Sequence, residues 1–244
     1  MNILVIGESC IDKFIYGGVN RLSPEAPVPV FSPIETTQNP GMAGNVVANV
    51  KALEPGYRVL HLTQEESIYK TRYVDAKTNH MFIRVDEGEN NITPFKWTPL
   101  MDVHLGQADV AIVSDYNKGF LSNADLKEIA RKSKISILDS KRRLTNDIIT
   151  KFTFVKLNES EHKNNPELSH PGLIITLGSR GAWYNGKVIP QNNPQQTIDV
   201  SGAGDTFVSA FVLDYVKNKD IEKAIIWANT SAGKVVSKRG VVTP

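Results

Sequence analysis

The chain has one cysteine, few histidines, no long apolar run and no excess of one charge. Its single thiol, Cys10, excludes a disulfide within the chain, and its five histidines are too scattered for a metal site. The 28 basic and 26 acidic residues leave a formal net charge of +2, which indicates no surface for nucleic acid or an anionic membrane. The apolar stretch at 2–6 is too short for a signal sequence or a membrane span. We therefore expect a cytoplasmic protein that binds neither nucleic acid nor membrane.

Six short apolar segments, each bounded by turn residues, recur along the chain. They cover residues 3–7, 58–62, 110–114, 135–139, 154–158 and 173–178. Because they lack apolar–polar alternation, they predict parallel strands that are covered on both faces. Helical periodicity at 45–53, and after a capping box of Ser122 and Asp125, lies between them. We expect a single domain, residues 1–244, folded as a three-layer α/β sandwich around a mainly parallel sheet.

Two other segments predict antiparallel ribbons. The first is proline-rich, with prolines at 24, 27, 29 and 33 that suit edge strands, and the second folds back at a turn around residues 77–79. We expect them to form a small β-lid from segments 13–34 and 68–88. A further hairpin is predicted at Asn185 and Gly186, a pair that favours a two-residue turn.

Residues 199–207, with the sequence DVSGAGDTF, are the most informative stretch of the chain. The small residues Gly202, Ala203 and Gly204 precede an apolar helix, so backbone N–H groups and the positive end of the helix dipole can bind one phosphate. Asp205 beside them can accept a proton from an attacking hydroxyl group. A tight turn with a capping aspartate explains the same pattern.

The whole DVSGAGDTF string resembles the C-terminal signature of the ribokinase (PfkB) family of carbohydrate kinases. The resemblance implies a ribokinase-like fold and transfer of phosphate from ATP, with Mg²⁺, to a sugar hydroxyl. It implies that Asp205 is the catalytic base and that Gly202, Ala203 and Gly204 form the anion hole. Relatives usually insert further strand–helix units after about residue 62, so the resemblance also implies a core compacted by a deletion there.

Residues 40–45, PGMAGN, resemble the family's sugar-binding turn. The resemblance assigns substrate binding to Gly41 and Asn45, although Met42 stands where a second glycine is usual. Asn45 could equally cap its helix. Asp12, after the first strand, matches the family's carboxylate that binds sugar hydroxyls at the end of that strand.

Three further segments resemble the family's nucleotide side. Asn158 and Glu161 match an Asn-x-x-Glu motif near magnesium and phosphate, so the resemblance gives Glu161 a metal role and Asn158 a nucleotide role. A polar loop explains that motif equally well. Thr176, Gly178 and Gly181 match the nucleotide-binding turn. Asn229 lies on a final helix that resembles the element near adenine.

The segment at residues 16–30, YGGVNRLSPEAPVPV, closely resembles the lid of D-glycero-β-D-manno-heptose 7-phosphate kinases, and FIRVD, SDYNKG and DSK further along agree. The resemblance implies phosphorylation of the anomeric hydroxyl of a heptose 7-phosphate. Arg21, Arg84, Lys118 and Lys141 are then expected to bind phosphate, or else to be solvated surface charges. Two alternatives stay open: another sugar or nucleoside acceptor, and a non-catalytic nucleotide- or sugar-binding protein. The apolar lid also suggests a homodimer.

Overall fold

A computed structural model describes residues 1–192 and 196–244. Over these ranges the strands are β1 (Asn2–Gly7), β2 (Ser9–Leu22), β3 (Pro29–Met42), β4 (Arg58–Leu62), β5 (Tyr69–Asp75), β6 (Met81–Glu87), β7 (Val110–Asp115), β8 (Ser136–Ser140), β9 (Phe154–Asn158), β10 (Leu173–Thr176), β11 (Ala182–Tyr184) and β12 (Lys187–Ile189). The helices are α1 (Ala43–Leu53), α2 (Pro99–Gln107), α3 (Asn123–Lys132), α4 (Asn146–Ile149), α5 (Glu159–Lys163), α6 (Ala203–Asn218) and α7 (Ile221–Val236).

The central sheet has the strand order β12-β11-β10-β9-β8-β7-β1-β4 within the described ranges. All neighbours from β10 to β4 pair in parallel, whereas β10, β11 and β12 pair antiparallel through the predicted hairpin. The six apolar segments thus form the parallel strands, as predicted. Strand β1 lies between β4 and β7, so the strand order reverses there, and such a reversal opens a crevice at the carboxyl ends of the strands.

Helices cover both faces of this sheet, which confirms the three-layer α/β prediction. One apolar core joins α1, α6 and α7 to strand residues such as Ile3 and Val5, and the other joins α2, α3 and α4 to alternate residues such as Leu4 and Ile6. The predicted capping box begins α3, because the Ser122 side chain accepts from the Asp125 backbone N–H. Helix α2 was not predicted; its apolar residues Met101 and Leu105 pack on the second core.

A smaller sheet with the order β3-β2-β5-β6 contains the two segments predicted as the lid. Strands β2 and β3 are antiparallel, as are β5 and β6, and β2 joins the two pairs by running parallel to β5. The first ribbon is longer than the predicted 13–34, because β2 and β3 continue back to the central sheet, whereas the second ribbon keeps to the predicted 68–88. Pro29 and Pro33 lie in β3, which is an edge strand, as their missing N–H groups require.

Residues 63–68 lead directly from β4 to the smaller sheet, and β4 is an edge strand in the described part of the central sheet. This arrangement agrees with the expected compaction after residue 62. Over residues 1–192 and 196–244, no helix is both long enough and apolar enough to span a bilayer.

Candidate active site

The carboxyl ends of the parallel strands β7, β8, β9 and β10 open onto one cavity of about 750 Å³. Tyr116 follows β7, Asp139 lies near the end of β8, Asn158 ends β9 and Thr176 ends β10, and all four line the cavity. The N-terminus of α6 closes the same space through Gly202, Ala203, Gly204 and Asp205. The topology therefore brings residues from distant parts of the sequence to one edge of the sheet.

Gly202 is the N-cap of α6, and its backbone is left-handed, with φ of 79°. A Cβ atom there would stand 2.6 Å from Asn45 Nδ2, so both the backbone and the packing require glycine. The first N–H groups of an α-helix have no partner within the helix, and here they belong to a turn that lines the cavity. The predicted phosphate-binding helix start is therefore open to the cavity and not sealed beneath packed side chains.

Asp205 lies in the first turn of α6 and is only 6% exposed. Its Oδ2 accepts a hydrogen bond from Asn45 Nδ2 over 2.8 Å, and its Oδ1 accepts one from the Tyr116 hydroxyl over 3.3 Å. Burial raises the pKa of Asp205 to about 6, although the Asn45 bond opposes the rise. Asp139 raises this pKa further, while Lys156 and Lys141 lower it. A carboxylate with such a pKa is suited to accept a proton near neutral pH.

Lys156 is a site residue that the sequence reasoning missed. It is 2% exposed, and its Nζ donates to Asp139 Oδ2 over 3.1 Å. The same ammonium lies 3.0 Å from where a Cβ of Gly204 would stand, directly against the first turn of α6. A lysine in the otherwise apolar strand FVKLN was the available signal, because lysine is almost never fully buried without a partner.

Lys141, predicted to bind substrate, lies at the cavity beside two acidic residues. Its ammonium forms an ion pair with Glu161 and lies 3.8 Å from Asp139 Oδ1. Burial disfavours its charge, but both acidic neighbours raise its pKa overall. Burial likewise opposes ionisation of Asp139, yet Lys156 and Lys141 keep the pKa of that carboxyl below its ordinary value.

The oxygen atoms near Glu161 fit a magnesium ion that arrives with a nucleotide. Magnesium binds through one or two carboxylates together with substrate phosphates. Asp139 offers a buried Oδ1 without a hydrogen-bond partner, and Glu161 stands across Lys141 from it. The part of the chain that the structure describes contains no cluster of three or more His, Cys, Asp or Glu residues able to hold a metal.

Asn158 and Glu161 form a reciprocal capping box at the start of α5. The Asn158 side chain accepts from the Glu161 backbone N–H over 2.8 Å, and Glu161 Oε2 accepts from the Asn158 backbone N–H over 2.7 Å. The helix start is thus fixed in the wall of the cavity. Thr176, Gly178 and Gly181 line the cavity on the next strand and turn. The structure therefore brings this predicted nucleotide set together.

Asn229 also faces the cavity, from α7, but its side-chain amide is already used. Asn229 is 6% exposed, and its Nδ2 donates to the backbone oxygen of Ile189 over 3.1 Å. The contact fixes α7 to the end of β12. Asn229 therefore has a structural role as well as a place in the cavity wall.

Of the residues predicted to bind sugar, Gly41 packs against Asp12 and Asn45 contacts Asp205, and sugar binding at these positions stays a prediction. A Cβ on Gly41 would stand 2.1 Å from Asp12 Oδ2, so the carboxylate packs directly on the glycine backbone. Asp12 forms an ion pair with Arg72, which the sequence reasoning missed. Cys10 lies beside this pair. Burial is the main cause that raises the pKa of its thiol to about 12, and the charge of Asp12 adds to the rise. The thiol is therefore protonated and unreactive.

Met42 occupies a backbone conformation that side chains rarely adopt, with φ of 57° and ψ of −132°. It stands between β3 and α1, where the family pattern has glycine. Its side chain is 3% exposed and packs against Cys10 and Ile68. The sequence departure noted at this turn is therefore a strained, buried residue next to Gly41.

Three predicted phosphate-binding residues remain. Lys118 and Arg84 lie beside acidic residues at or next to β6 of the smaller sheet, whereas Arg21 lies away from them. Lys118 and the buried Lys70 both form ion pairs with Glu89, and Arg84 pairs with Asp86. Arg21 lies opposite Val30 in the antiparallel register of β2 and β3, near the C-terminal end of β2. Arg21 lies nine positions further along β2 than Asp12, which corresponds to about 30 Å of extended strand. Within one chain, Arg21 is therefore remote from Asp205.

Comparison with known proteins places these observations in a family. Residues 56–244 match the sequence profile of the pfkB family carbohydrate kinases. A relative from Proteus mirabilis (strain HI4320), named bifunctional protein HldE, is 28% identical over 291 positions, which cover 99% of this chain and 61% of the relative. A relative of the same name from Histophilus somni (strain 129Pt) is 27% identical with the same coverage. The chain thus spans about three fifths of the length of these relatives.

Solved structures share the fold at low sequence identity. A ribokinase from Thermotoga maritima superposes with a TM-score of 0.74 at 18% identity, covering 98% of this chain and 94% of its own. An Arabidopsis thaliana ribokinase solved with ribose and ATP gives 0.71 at 14% identity, covering 98% and 93%. These likenesses establish a ribokinase-like α/β fold with a mostly parallel central sheet.

Proposed function

The chain belongs to the pfkB family of carbohydrate kinases, and we propose that it transfers the γ-phosphoryl group of ATP to a hydroxyl group of a sugar phosphate. As a member of this family it is a phosphotransferase. The observation that carries the proposal is the position of Asp205, a buried carboxylate with a pKa of about 6 in the first turn of a helix that opens onto the cavity.

In the proposed reaction, Asp205 takes the proton of the acceptor hydroxyl while the oxygen of that hydroxyl attacks the γ-phosphorus. The bond between the γ-phosphorus and the β,γ-bridging oxygen breaks, and ADP leaves. The N–H groups at the start of α6 bind the equatorial oxygens of the transferring group, where negative charge is concentrated. Lys156 adds a fixed positive charge beside the same turn.

ATP is expected to lie along the cavity wall formed by Asn158, Thr176, Gly178 and Gly181, with its base toward α7. Magnesium, held mainly by the nucleotide phosphates, would be met by Glu161 and Asp139 and would neutralise phosphate charge when bound. Glu161 must then exchange its ion pair with Lys141 for this role. Lys141, once released, remains close enough to the cavity to bind phosphate.

We propose a heptose 7-phosphate as the acceptor, phosphorylated at its anomeric hydroxyl. The lid sequence at 16–30 supports this choice, as do the relatives named HldE. A phosphorylated acceptor also suits the basic residues Lys70, Arg72 and Lys118 around Asp12. In the structure these cations pair with carboxylates, so on binding a phosphate group each cation would exchange one anionic partner for another. Met42 favours a second candidate, another sugar or nucleoside, because it changes the wall beside Gly41.

We also propose that two chains pair through the smaller sheet. Its exposed apolar side chains include Leu22, Ile34 and Ile83, which are 63%, 78% and 56% exposed. An apolar surface of this kind on a sheet favours burial against a second copy. Light scattering at micromolar concentration tests for this dimer, and a monomer at that concentration contradicts it.

The single buried thiol, Cys10, suits a reducing cytoplasm.

The test of the proposed function is ADP release from Mg-ATP in the presence of D-glycero-D-manno-heptose 7-phosphate, ribose, fructose 6-phosphate or adenosine. Phosphorus NMR of the product identifies the hydroxyl that was phosphorylated. The variant Asp205→Asn should lower transfer by about 10²–10⁴-fold. Asp147→Asn, an exposed carboxylate on α4, is the matched control and should leave the rate unchanged. Nucleotide binding without transfer to any acceptor would instead favour a non-catalytic binding protein.

A further inference from the structure

Tyr116 has no role in the proposed reaction, yet its hydroxyl contacts the proposed base. The Tyr116 hydroxyl donates to Asp205 Oδ1 over 3.3 Å, while Asn45 holds Oδ2. Burial is the largest cause that raises the pKa of this phenol well above its ordinary value, and the charges of Asp205 and Asp139 raise it further. The phenol therefore stays protonated and can donate. Both oxygens of the base are therefore engaged by side chains of the chain itself.

Tyr116 stands at the boundary between the two halves of the site. It lines the cavity together with Asp205, whereas Asp12, Gly41 and Asn45 do not line it in the described ranges. On its other side the ring packs against the cluster of Cys10, Met42 and Ile68 on the acceptor side. An acceptor hydroxyl must cross this boundary to reach both Asp205 and the γ-phosphate.

The backbone around Tyr116 is fixed by the fully buried carboxylate of Glu8. Glu8 accepts hydrogen bonds from the backbone N–H groups of Tyr116 and Lys118 over 2.9 Å each, and of Phe120 over 3.2 Å. Because three amides hold this loop, displacement of the hydroxyl is restricted to rotation of the Tyr116 side chain. Lys141 Nζ lies 5.6 Å from the ring centroid, on the cavity side.

We propose that Tyr116 selects acceptor alcohols over water, by holding Asp205 Oδ1 until an acceptor hydroxyl displaces the phenol. This inference rests on the proposed function. Without an acceptor, a water molecule would have to displace the phenol to lose its proton to Asp205, attack the γ-phosphorus and release phosphate and ADP. The acceptor offsets the lost hydrogen bond with its contacts to Asp12 and Asn45, whereas water has no such contacts. Tyr116 is thus a positioning residue that limits wasteful ATP hydrolysis.

The variant Tyr116→Phe tests the inference, because it removes only the hydroxyl. ADP release from Mg-ATP without acceptor should rise about ten-fold. Tyr57→Phe, which changes a tyrosine packed beside α1 and away from the cavity, is the control and should show no rise. An unchanged hydrolysis rate in Tyr116→Phe overturns the inference, as does a loss of transfer without added hydrolysis. The double variant Tyr116→Phe with Asp205→Asn should lose the extra hydrolysis; its persistence would mean that the effect does not pass through Asp205.

A binding measurement separates this inference from the proposed function. Calorimetry with D-glycero-D-manno-heptose 7-phosphate and no nucleotide should show about three- to ten-fold tighter binding to Tyr116→Phe, because no phenol hydrogen bond has to be broken. Equal or weaker binding contradicts the inference even if the wild-type protein is an active kinase. Conversely, tighter binding together with no phosphoryl transfer to any acceptor would support the displacement of the phenol from Asp205 on acceptor binding, but it would reject the proposed function and with it the role of Tyr116 in selecting alcohols over water.

Discussion

Asn45 donates a 2.8 Å hydrogen bond to Asp205 across 160 residues of sequence, and it joins the first turns of α1 and α6. The two residues come from separate sequence motifs, one expected to bind sugar and the other expected to accept a proton. Asn45 Oδ1 in turn accepts from Asn49, whose own Oδ1 accepts from Thr206. The proposed base is therefore held by a chain of amides whose orientation is fixed from both helices.

The first prediction concerns Asn45. Removing its amide in Asn45→Ala should raise the pKa of Asp205, because that hydrogen bond stabilises the carboxylate. The acid limb of the pH–rate profile should move to higher pH by about one unit, and transfer at pH 6 should fall about five-fold. Rates of ADP release between pH 5 and 9 measure this shift. Asn218→Ala, at the other end of α6, should leave the limb in place; an unmoved limb in Asn45→Ala would contradict the prediction.

A second prediction follows from the cost of burying Asp205. Its pKa in the folded protein, about 6, is above the ordinary value of 3.8, so the folded state holds the proton more tightly than the unfolded state. Well below pH 3.8 both states are protonated and no stability is lost; as pH rises from about 4 to about 6, the free energy of unfolding falls by up to about 3 kcal/mol. Asp205→Asn should therefore be more stable than wild type at pH 8 while losing transfer.

Urea unfolding at pH 4 and pH 8 measures this difference. The gain in Asp205→Asn should be present at pH 8 and nearly absent at pH 4. The exposed control Asp147→Asn removes a carboxylate whose pKa its ion pair with Lys127 lowers, so it should not stabilise the protein at pH 8. A destabilised Asp205→Asn at pH 8 would argue against a charged, buried base.

The third prediction concerns the strained backbone at Met42. Met42→Ala and Met42→Gly remove the same buried contacts with Cys10 and Ile68, but only glycine relieves the positive φ. Met42→Gly should therefore be more stable than Met42→Ala by about 1 kcal/mol. At the exposed Met81 on β6 the order should be the ordinary one, with alanine the more stable. Unfolding free energies of the four variants measure both differences; alanine ahead at position 42 would show an unstrained turn.

The fourth prediction concerns the buried ammonium of Lys156. Lys156→Met keeps most of the side-chain volume but removes the charge beside Gly204, so ADP should bind about 10- to 100-fold more weakly. It also leaves Asp139 without its 3.1 Å partner, which should lower the unfolding free energy. Calorimetry with ADP separates binding from folding. Lys127→Met, a surface lysine on α3, is the control, and equal ADP affinity in the two variants would exclude Lys156 from the phosphate site.

The sequence by itself determined the parallel strands, several helix starts and the α/β class of the fold. Buried parallel strands have a local signature in continuous apolar segments, and helix starts have one in caps such as Ser122 and Asp125. The glycines of the α6 start were equally visible, because a phosphate-binding turn is built from backbone groups of contiguous residues. Asp205, Asn45 and Asp12 were chosen by their motifs, and the structure joins Asn45 to Asp205.

Only the tertiary structure decided which side chains meet around them. Tyr116, Lys156 and Arg72 contact the site residues Asp205, Asp139 and Asp12, yet their local sequences carry no rule that predicts those pairs. Arg21, chosen by the same resemblance as the lid, lies far along β2 instead. The physical reason is that hydrogen bonds and ion pairs between side chains depend on the order of strands in the sheet, which brings distant strand ends to one edge.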